Sequence, residues 1–451
     1  MNTFIDNLSY WVKAVNDFVW GWPLIIFFIA IGLIATFALD FVQFRYFFKA
    51  WRLVLAPQEH VTADKADMNP FQAFVNALST SIGNGSLAGM ATAVHEGGPG
   101  AAFWIFVLGF FELPIRFSEV YLSNAFEGGG SSIVTGGPML YLKKVPGRAV
   151  LPALYAFFCL MLSFVSGNVI QANSVSNGLQ SIVPVHSYII AGAIGAFVAY
   201  VVLGGAARIV KISEAIVPVK VGLFFVSALL LLVYHFGGLW HALTIIVQSA
   251  FTPQAVQGAL IGTTVQTALR FGISRSLNAS EVGLGTAAVF FGSTGSKNSV
   301  DNGIMSMVSA FISNYLVCFV LALLIVLTGV WTHQDVTSIA LTTEAFGTLY
   351  GSFAGWLVTT LSVIFGIGVL VAYAYIGREC WSYLTGGRFL TMYSLVYCVL
   401  AFVGSLAKVQ LVWDAVDIVN AGLMSINLYA IAYLMPKIRQ AVLAYKNNKT
   451  A

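Results

Sequence analysis

The sequence predicts an all-α integral membrane protein of eleven transmembrane helices, in which one extra N-terminal helix precedes two inverted five-helix units. Three observations carry that prediction. Of 451 residues, 58% are hydrophobic and only 9% are charged, against about 25% charged in a soluble domain. Eleven apolar stretches approach the ~20 residues that a helix needs to cross a bilayer. Two of these stretches are interrupted midway by glycine and small polar residues, in a pattern that recurs 194 positions apart.

The stretches lie at about 18–41, 71–94, 99–123, 151–181, 187–203, 213–237, 258–290, 302–330, 351–377, 389–407 and 413–435. A closed β-barrel is the other way to cross lipid. It would show short alternating segments, and these runs are long and continuously apolar. Cytoplasmic loops are enriched in Lys and Arg. With the N-terminus outside, 16 of the 22 basic residues fall on the inner side, two (Lys13 and Lys408) outside, and four (Arg116, Lys220, Arg270 and Arg275) within spans. The chain is thus expected in the inner (plasma) membrane with its N-terminus outside and its C-terminus cytoplasmic.

The first stretch has no basic leader and no small-residue cleavage site, so it is expected to stay as a helix. The second carries the first interruption. Residues 72–92, QAFVNALSTSIGNGSLAGMAT, align without a gap to 266–286, QTALRFGISRSLNASEVGLGT. Identities fall at Gln72/Gln266, Asn84/Asn278, Ser86/Ser280, Gly89/Gly283 and Thr92/Thr286. Five identities in 21 can also arise from shared membrane composition. Interrupted helices at corresponding places in two halves point to a transporter binding site, because freed backbone groups at the break can hold a solute. Gly83 and Gly85 each weaken a helix by about 1 kcal/mol relative to alanine. Carbonyls exposed there suit a cation, with the hydroxyls of Thr80 and Ser81 as candidate cation ligands, and the start of the following half-helix suits a carboxylate. Close packing of small residues is the competing explanation.

In the third stretch Glu112, Arg116 and Glu119 are spaced four and three, an arrangement that reads as an architectural ion-pair ladder. The fourth contains SGNVIQANSVSNG (166–178), rich in amides that must face inward. Helical spacing places Gly167, Gln171, Ser174 and Gly178 on one face, so Gln171 is a candidate for hydrogen bonds to substrate, while Asn173 and Asn177 could join helices. The tract 238–257 is too short in its apolar middle to cross and reads as an interfacial or re-entrant linker. It separates a first unit (70–237, spans two to six) from a second (258–435, spans seven to eleven), flanked by 1–69 and a cytoplasmic tail, 436–451. Five is odd, so two copies of such a unit enter the membrane in opposite directions.

The seventh stretch adds Arg270, Arg275 and Glu281 to Asn278 and Ser280. Arg275 and Glu281 share a helical face only if the helix breaks between them. Glu281 could be a structural ion pair, a gate or a proton carrier; its arginine neighbours favour the first two. Asp414 and Asp417, near the outer end of the eleventh stretch, read as solvated residues.

Enzymatic readings find little support. His95-Glu96-Gly97-Gly98-Pro99 begins like a zinc-peptidase motif but has proline where the second histidine must stand, and no phosphate-binding loop ends in Lys-Ser/Thr. Cys159, Cys318, Cys380 and Cys398 show no paired spacing. No cofactor, nucleic acid or obligate protein partner is indicated; the lipid bilayer is the expected environment. A channel is disfavoured by the inverted repeat with a discontinuous helix in each half.

Residues 70–104, PFQAFVNALSTSIGNGSLAGMATAVHEGGPGAAFW, resemble the signature of the alanine or glycine:cation symporter family, also called sodium:alanine symporters. Further similarity follows in TGGPMLYLKK (135–144), SGNVIQANS (166–174), GGAARIVKISEAIVP (204–218), SRSLNASEVGLGTAA (274–288), YIGREC (375–380) and WDAVDIVNAGLMSINL (413–428). The resemblance implies the leucine-transporter type of five-plus-five inverted fold and uptake of a small neutral amino acid with sodium by alternating access. By position it implies substrate contacts from Ser81, Gly83, Asn84, Gly85 and Ser86, from Gln171, from Asn278 and Ser280, and from Tyr373 as an apolar wall.

The chain departs from the family pattern in several places. Asn84 and Ser86 stand where the family usually has Thr and Asn, and His95 and Glu96 where it is usually uncharged. Gly368 and Val369 fall where adjacent hydroxyl residues help hold sodium. A proton-coupled or uncoupled amino-acid transporter, or a membrane sensor that keeps the fold without transport, therefore stay as alternatives.

Overall fold

The apolar stretches fold as helices wherever the structure describes them. The computed structural model describes residues 19–20, 22–56, 67–126, 134, 136–251, 265–296, 298–333, 335–407 and 410–447, with the side chains of 410–415 outside that description. Lys13, Lys65, Thr135, Lys297, Lys408 and Lys449, the side chain of Asp414 and the end of the linker tract (252–257) fall outside it. No strand occurs among the described residues.

The helices that position the site are α1 (Trp22–Ala38), α2 (Phe47–Leu55), α3 (Pro70–Ser81), α4 (Asn84–Gly97), α5 (Gly100–Ala125), α6 (Leu151–Ile182), α7 (Ser187–Val202) and α8 (Gly205–Tyr234). They continue with α9 (Leu239–Phe251), α10 (Val265–Ser280), α11 (Thr286–Gly292), α12 (Ser299–Thr328), α13 (Ser338–Tyr350), α14 (Phe353–Thr385), α15 (Leu390–Leu406) and α16 (Gln410–Asn447). Six helices are long and apolar enough to cross a membrane on their own: α5, α6, α8, α12, α14 and α16 from Val416. The α1, α7 and α15 helices are apolar but run 16 or 17 residues. The second and seventh predicted spans are each divided into two helices, of 12 and 14 residues at the second and, among the described residues, of 16 and 7 at the seventh.

Local chemistry accounts for the helix ends. The side chain of Asn69 accepts from the Gln72 amide at 2.8 Å while Gln72 Oε1 accepts from the Asn69 amide at 3.0 Å. This reciprocal cap, with Pro70 in the first turn, starts α3. Three helix boundaries differ from expectation, the first being that α14 runs to Thr385 rather than about 377. The sixth span begins at Gly205 rather than about 213, because the segment before it is also helical, and α16 runs to Asn447, through Pro436 and well past 435. The tract 238–257 begins with α9, a helix of 13 residues.

Helices α5 and α14 form the middle of the bundle. The α5 helix packs on α1, α10, α11 and α12, and α14 packs on α3, α6, α8 and α15. Outer helices expose apolar rows to the surroundings: Val219, Val226, Leu230 and Val233 on α8, Ile26, Ile34 and Phe37 on α1, and Met392, Leu395, Val399 and Val403 on α15. Surfaces this apolar fit a hydrocarbon solvent better than water. With the long apolar helices they make this a multi-pass membrane protein.

Candidate functional site

Both predicted interruptions are real breaks in the helix path. The α3 helix ends at Ser81, Ile82 and Gly83 are extended, and α4 starts at Asn84. Glycine is required at 83 by close approach: a Cβ there would stand 2.6 Å from Val369 Cγ2. The second helix stays intact through Ser280, so it does not break between Arg275 and Glu281 as the spacing suggested. Glu281 itself is the first residue outside it, with φ 57°, followed by Gly283 and Gly285 at φ 86° and 81°. Relative to the aligned repeat, the second break comes later: Asn84 opens a half-helix, whereas Asn278 lies within one.

Between the breaks lies a cavity of about 800 Å³. Its wall includes Thr80, Gly83, Gly85, Ser86, Gln171, Asn278, Glu281 and Val369. It extends past Arg275 and Asp417 to the ends of helices at Ser187, Tyr188, Ser338 and Ala407. Of the residues singled out for substrate from sequence, Gly83, Gly85, Ser86, Gln171 and Asn278 line the cavity, as does Thr80, a candidate for sodium.

The remaining candidates are buried beside the cavity. Asn84 accepts from Ser362 Oγ at 2.8 Å and donates to Gln171 Oε1 at 3.3 Å, so it fixes Gln171 in place. The hydroxyls of Thr80 and Ser81 both donate back to the Ala77 carbonyl, at 3.0 and 2.9 Å. The Ser280 carbonyl accepts from Arg116 at 2.9 Å. Tyr373 is not an apolar wall of the cavity. Its ring packs against Gly167 and its hydroxyl donates to Glu281 Oε1 at 2.5 Å.

On α6, a π-helical turn at Val165–Val169 precedes Gln171 and alters the simple helical spacing. Gln171 Nε2 donates to the Ser166 carbonyl at 3.1 Å, leaving the side chain along the cavity wall. Gly167 and Gly178 both face α14, the first against the Tyr373 ring and the second against Thr359 and Ser362, so this face of α6 packs on α14 beside the cavity. Asn173 does join helices, donating to the carbonyls of Gly404 and Ala407 at 3.2 and 2.6 Å.

Two expectations about charge are corrected. Glu281 is held by the hydroxyls of Tyr373 and Thr286 (2.9 Å), not by flanking arginines. Asp417 is not merely solvated: it accepts from Asn278 at 2.7 Å and stands 3.9 Å from Arg275 at the cavity mouth. The α5 ladder forms in part. Arg116 pairs with Glu119 at 2.8 Å, while Glu112 accepts from Ser276 at 3.2 Å. Asn427 completes the support of the second break by donating to Glu119 at 3.0 Å and to the Gly283 carbonyl at 2.9 Å.

Sequence reasoning passed over Lys220. It is fully buried on α8, and its ammonium donates to the carbonyls of Ser79 at 2.8 Å and Ile82 at 2.7 Å, where the first helix breaks. The signal was available as a lone lysine in the apolar run IVPVKVGLFF, since ionisable residues inside a membrane face partners or cavities.

The cavity wall carries polar side chains from both breaks and from α6, among them Thr80, Ser86, Gln171, Asn278 and Glu281. At the start of α4 the Ser86 amide donates to the Gly83 carbonyl at 2.9 Å, and the amides of the first turn ahead of it favour a carboxylate; Gln171, Ser86 and Asn278 add donors and acceptors. Among the described residues no group of His, Cys, Asp and Glu is arranged to hold a metal. Comparison with known proteins gives a consistent picture. The model of the sodium:alanine symporter family matches residues 5–451. A sodium/alanine symporter of Methanococcus maripaludis is 31% identical, with 94% of each chain covered. An uncharacterized transporter of Haemophilus influenzae is 31% identical over 93% of this chain and 92% of its own. An amino-acid carrier protein of Bacillus subtilis is 26% identical over 96% and 90%.

Proposed function

The chain belongs to the sodium:alanine symporter family, and from that premise we propose that it imports a small neutral amino acid of the alanine or glycine class by alternating access in the plasma membrane. Cation-coupled amino-acid transport, not enzymatic catalysis, is the activity of the family and of the Methanococcus maripaludis relative. The observation that carries the substrate class is the shared cavity. Both helix breaks meet there, with amides and a hydroxyl at the first and Asn278 with Glu281 at the second.

Two five-helix units of opposite orientation, 70–237 and 258–435, with an extra helix before them and the N-terminus outside, are the arrangement we propose around that cavity. In that orientation the cavity opens outward. Contacts at the other end support closure there: Lys49 pairs with Asp301 at 2.5 Å, Tyr375 donates to Asp67 at 2.9 Å, and Asn302 donates to Asn124 at 3.1 Å. Alternating access then requires the two ends to exchange these states.

The family name points to sodium as the coupling cation. A second reading, transport that needs no sodium, is favoured by Gly368 and Val369, which bring no side-chain oxygen, and by the ammonium of Lys220 on the nearby carbonyls.

The test is uptake of radiolabelled alanine, and of a panel of other small amino acids, into proteoliposomes under a sodium gradient, a proton gradient or neither. Saturable uptake of a small neutral amino acid supports the proposal, and the gradient it needs names the ion. Uptake of none of them rejects it in favour of a sensor with the same fold.

A further inference from the structure

We propose that the Lys220 ammonium is a tethered cation, built into the chain in place of a free metal ion, at the carbonyls opened by the first helix break. The inference rests on the transport reading for its consequence, sodium-independent substrate binding, but its structural part stands alone.

The break leaves carbonyl oxygens of the last turn of α3 without intrahelical donors. That end also carries the negative pole of the helix. Buried carbonyls converging in this way favour a cation, and one is already present. Lys220 Nζ lies 2.8 Å from Ser79 O, 2.7 Å from Ile82 O and 3.5 Å from Ser79 Oγ. An ammonium has three donors, and three oxygens surround it. The Phe365 ring stands 5.8 Å away, within cation–π range.

The opposite wall is bare for a steric reason. A Cβ on Gly368 would stand 3.0 Å from Lys220 Nζ and 3.2 Å from Ser79 Oγ, so a side chain at 368 would crowd the ammonium. The Gly368 carbonyl is engaged by Ser79 Oγ at 2.9 Å. Val369 points away from this cluster, toward Gly83 and the cavity. Hard metal cations are held by several oxygen ligands at once, and the three oxygens here already hold the ammonium. The same oxygens cannot serve both cations. Glu281 is the acidic residue at the other break, and its oxygens are engaged by Tyr373 and Thr286.

A lysine that only caps a helix would show the same distances, so the test must read the metal. Melting temperatures of the full-length purified protein and of Lys220→Met are measured in sodium chloride and in choline chloride. The wild type should melt at the same temperature in both. Lys220→Met should melt lower in choline and be raised by sodium in a saturable way, because the emptied carbonyls then take the metal by mass action. A variant indifferent to sodium overturns the proposal and leaves a plain helix cap.

Should Lys220→Met not fold, alanine affinity of the wild type decides instead. Replacing sodium by choline should leave it unchanged, and a loss of about tenfold or more on removing sodium overturns the proposal. A wild type that binds no amino acid rejects the transport reading, and its own melting temperature then decides the cation: equal values in sodium and choline keep the proposal, and a saturable rise in sodium overturns it.

Discussion

The hydroxyl of Tyr373 donates to Glu281 Oε1 at 2.5 Å, joining the middle of α14 to the break between α10 and α11. The other carboxylate oxygen accepts from Thr286, the first residue of α11, at 2.9 Å. Gly167 makes room for the tyrosine, since a Cβ there would come within 2.2 Å of the ring. Three helices thus converge on one carboxylate, which fixes how α11 leaves the break.

Removing the hydroxyl should weaken that joint without touching the cavity wall. Tyr373→Phe deletes one hydrogen bond and leaves the buried Glu281 Oε1 without that donor, at a cost of about 1–3 kcal/mol. The variant should melt at a lower temperature and transport more slowly, with alanine affinity close to wild type by equilibrium binding. An unchanged melting temperature would show that the bond contributes nothing to the break.

Gln171 should behave in the opposite way. Its side chain lines the cavity, and its loss leaves Asn84 still bonded to Ser362. Gln171→Ala should therefore lower substrate affinity by about tenfold or more, in keeping with about 1.5 kcal/mol for one polar contact. Its melting temperature should stay nearly that of wild type. Undiminished binding would remove this face of α6 from the site.

The sequence revealed the existence of both breaks because glycine and small polar residues in an apolar run have few other uses. It misplaced the second break, since identities at Asn84/Asn278 and Ser86/Ser280 align side chains, whereas the turn is set by Glu281, Gly283 and Gly285 in the left-handed region. Gln171 was legible from its amide-rich surroundings. The burial of Tyr373 was not, because the π-helical turn before Gln171 shifts what α6 presents to α14. Arg116 and Lys220 share a role that no spacing within one helix could show: each is buried and donates to backbone carbonyls at the end of a broken helix, Ser280 for Arg116 and Ser79 with Ile82 for Lys220. Long-range pairs of this kind depend on which helices become neighbours.

At the cavity mouth, Asn278 is held between Asp417 at 2.7 Å and Asn420 at 3.1 Å, both on α16. The Arg275–Asp417 pair, 3.9 Å long and partly exposed, adds about 0–1 kcal/mol. Asp417→Ala should consequently cost little stability but free Asn278 to turn, slowing initial uptake, while Asp417→Asn keeps an acceptor for Asn278 and should restore most of the rate. Equal rates in the two variants would mean that the charge of Asp417 matters rather than its bond to Asn278.

Gly83 and Val369 offer a test of the first break by steric complementation. A methyl group at 83 has nowhere to go, with Val369 Cγ2 at 2.6 Å, and forcing extra volume into a packed interior costs about 1–3 kcal/mol. Gly83→Ala should lower the melting temperature and reduce alanine binding, because the break must shift to relieve the contact. Val369→Ala removes the obstructing methyls and leaves a void beside the cavity. In the double variant the new methyl enters the space vacated, so the two effects should not add, and a coupling of about 0.5–3 kcal/mol in the stabilising direction is expected for residues in direct contact. Melting and binding measured on all four combinations decide the matter. Simple additivity would mean that the approach of Val369 is not what requires glycine at 83.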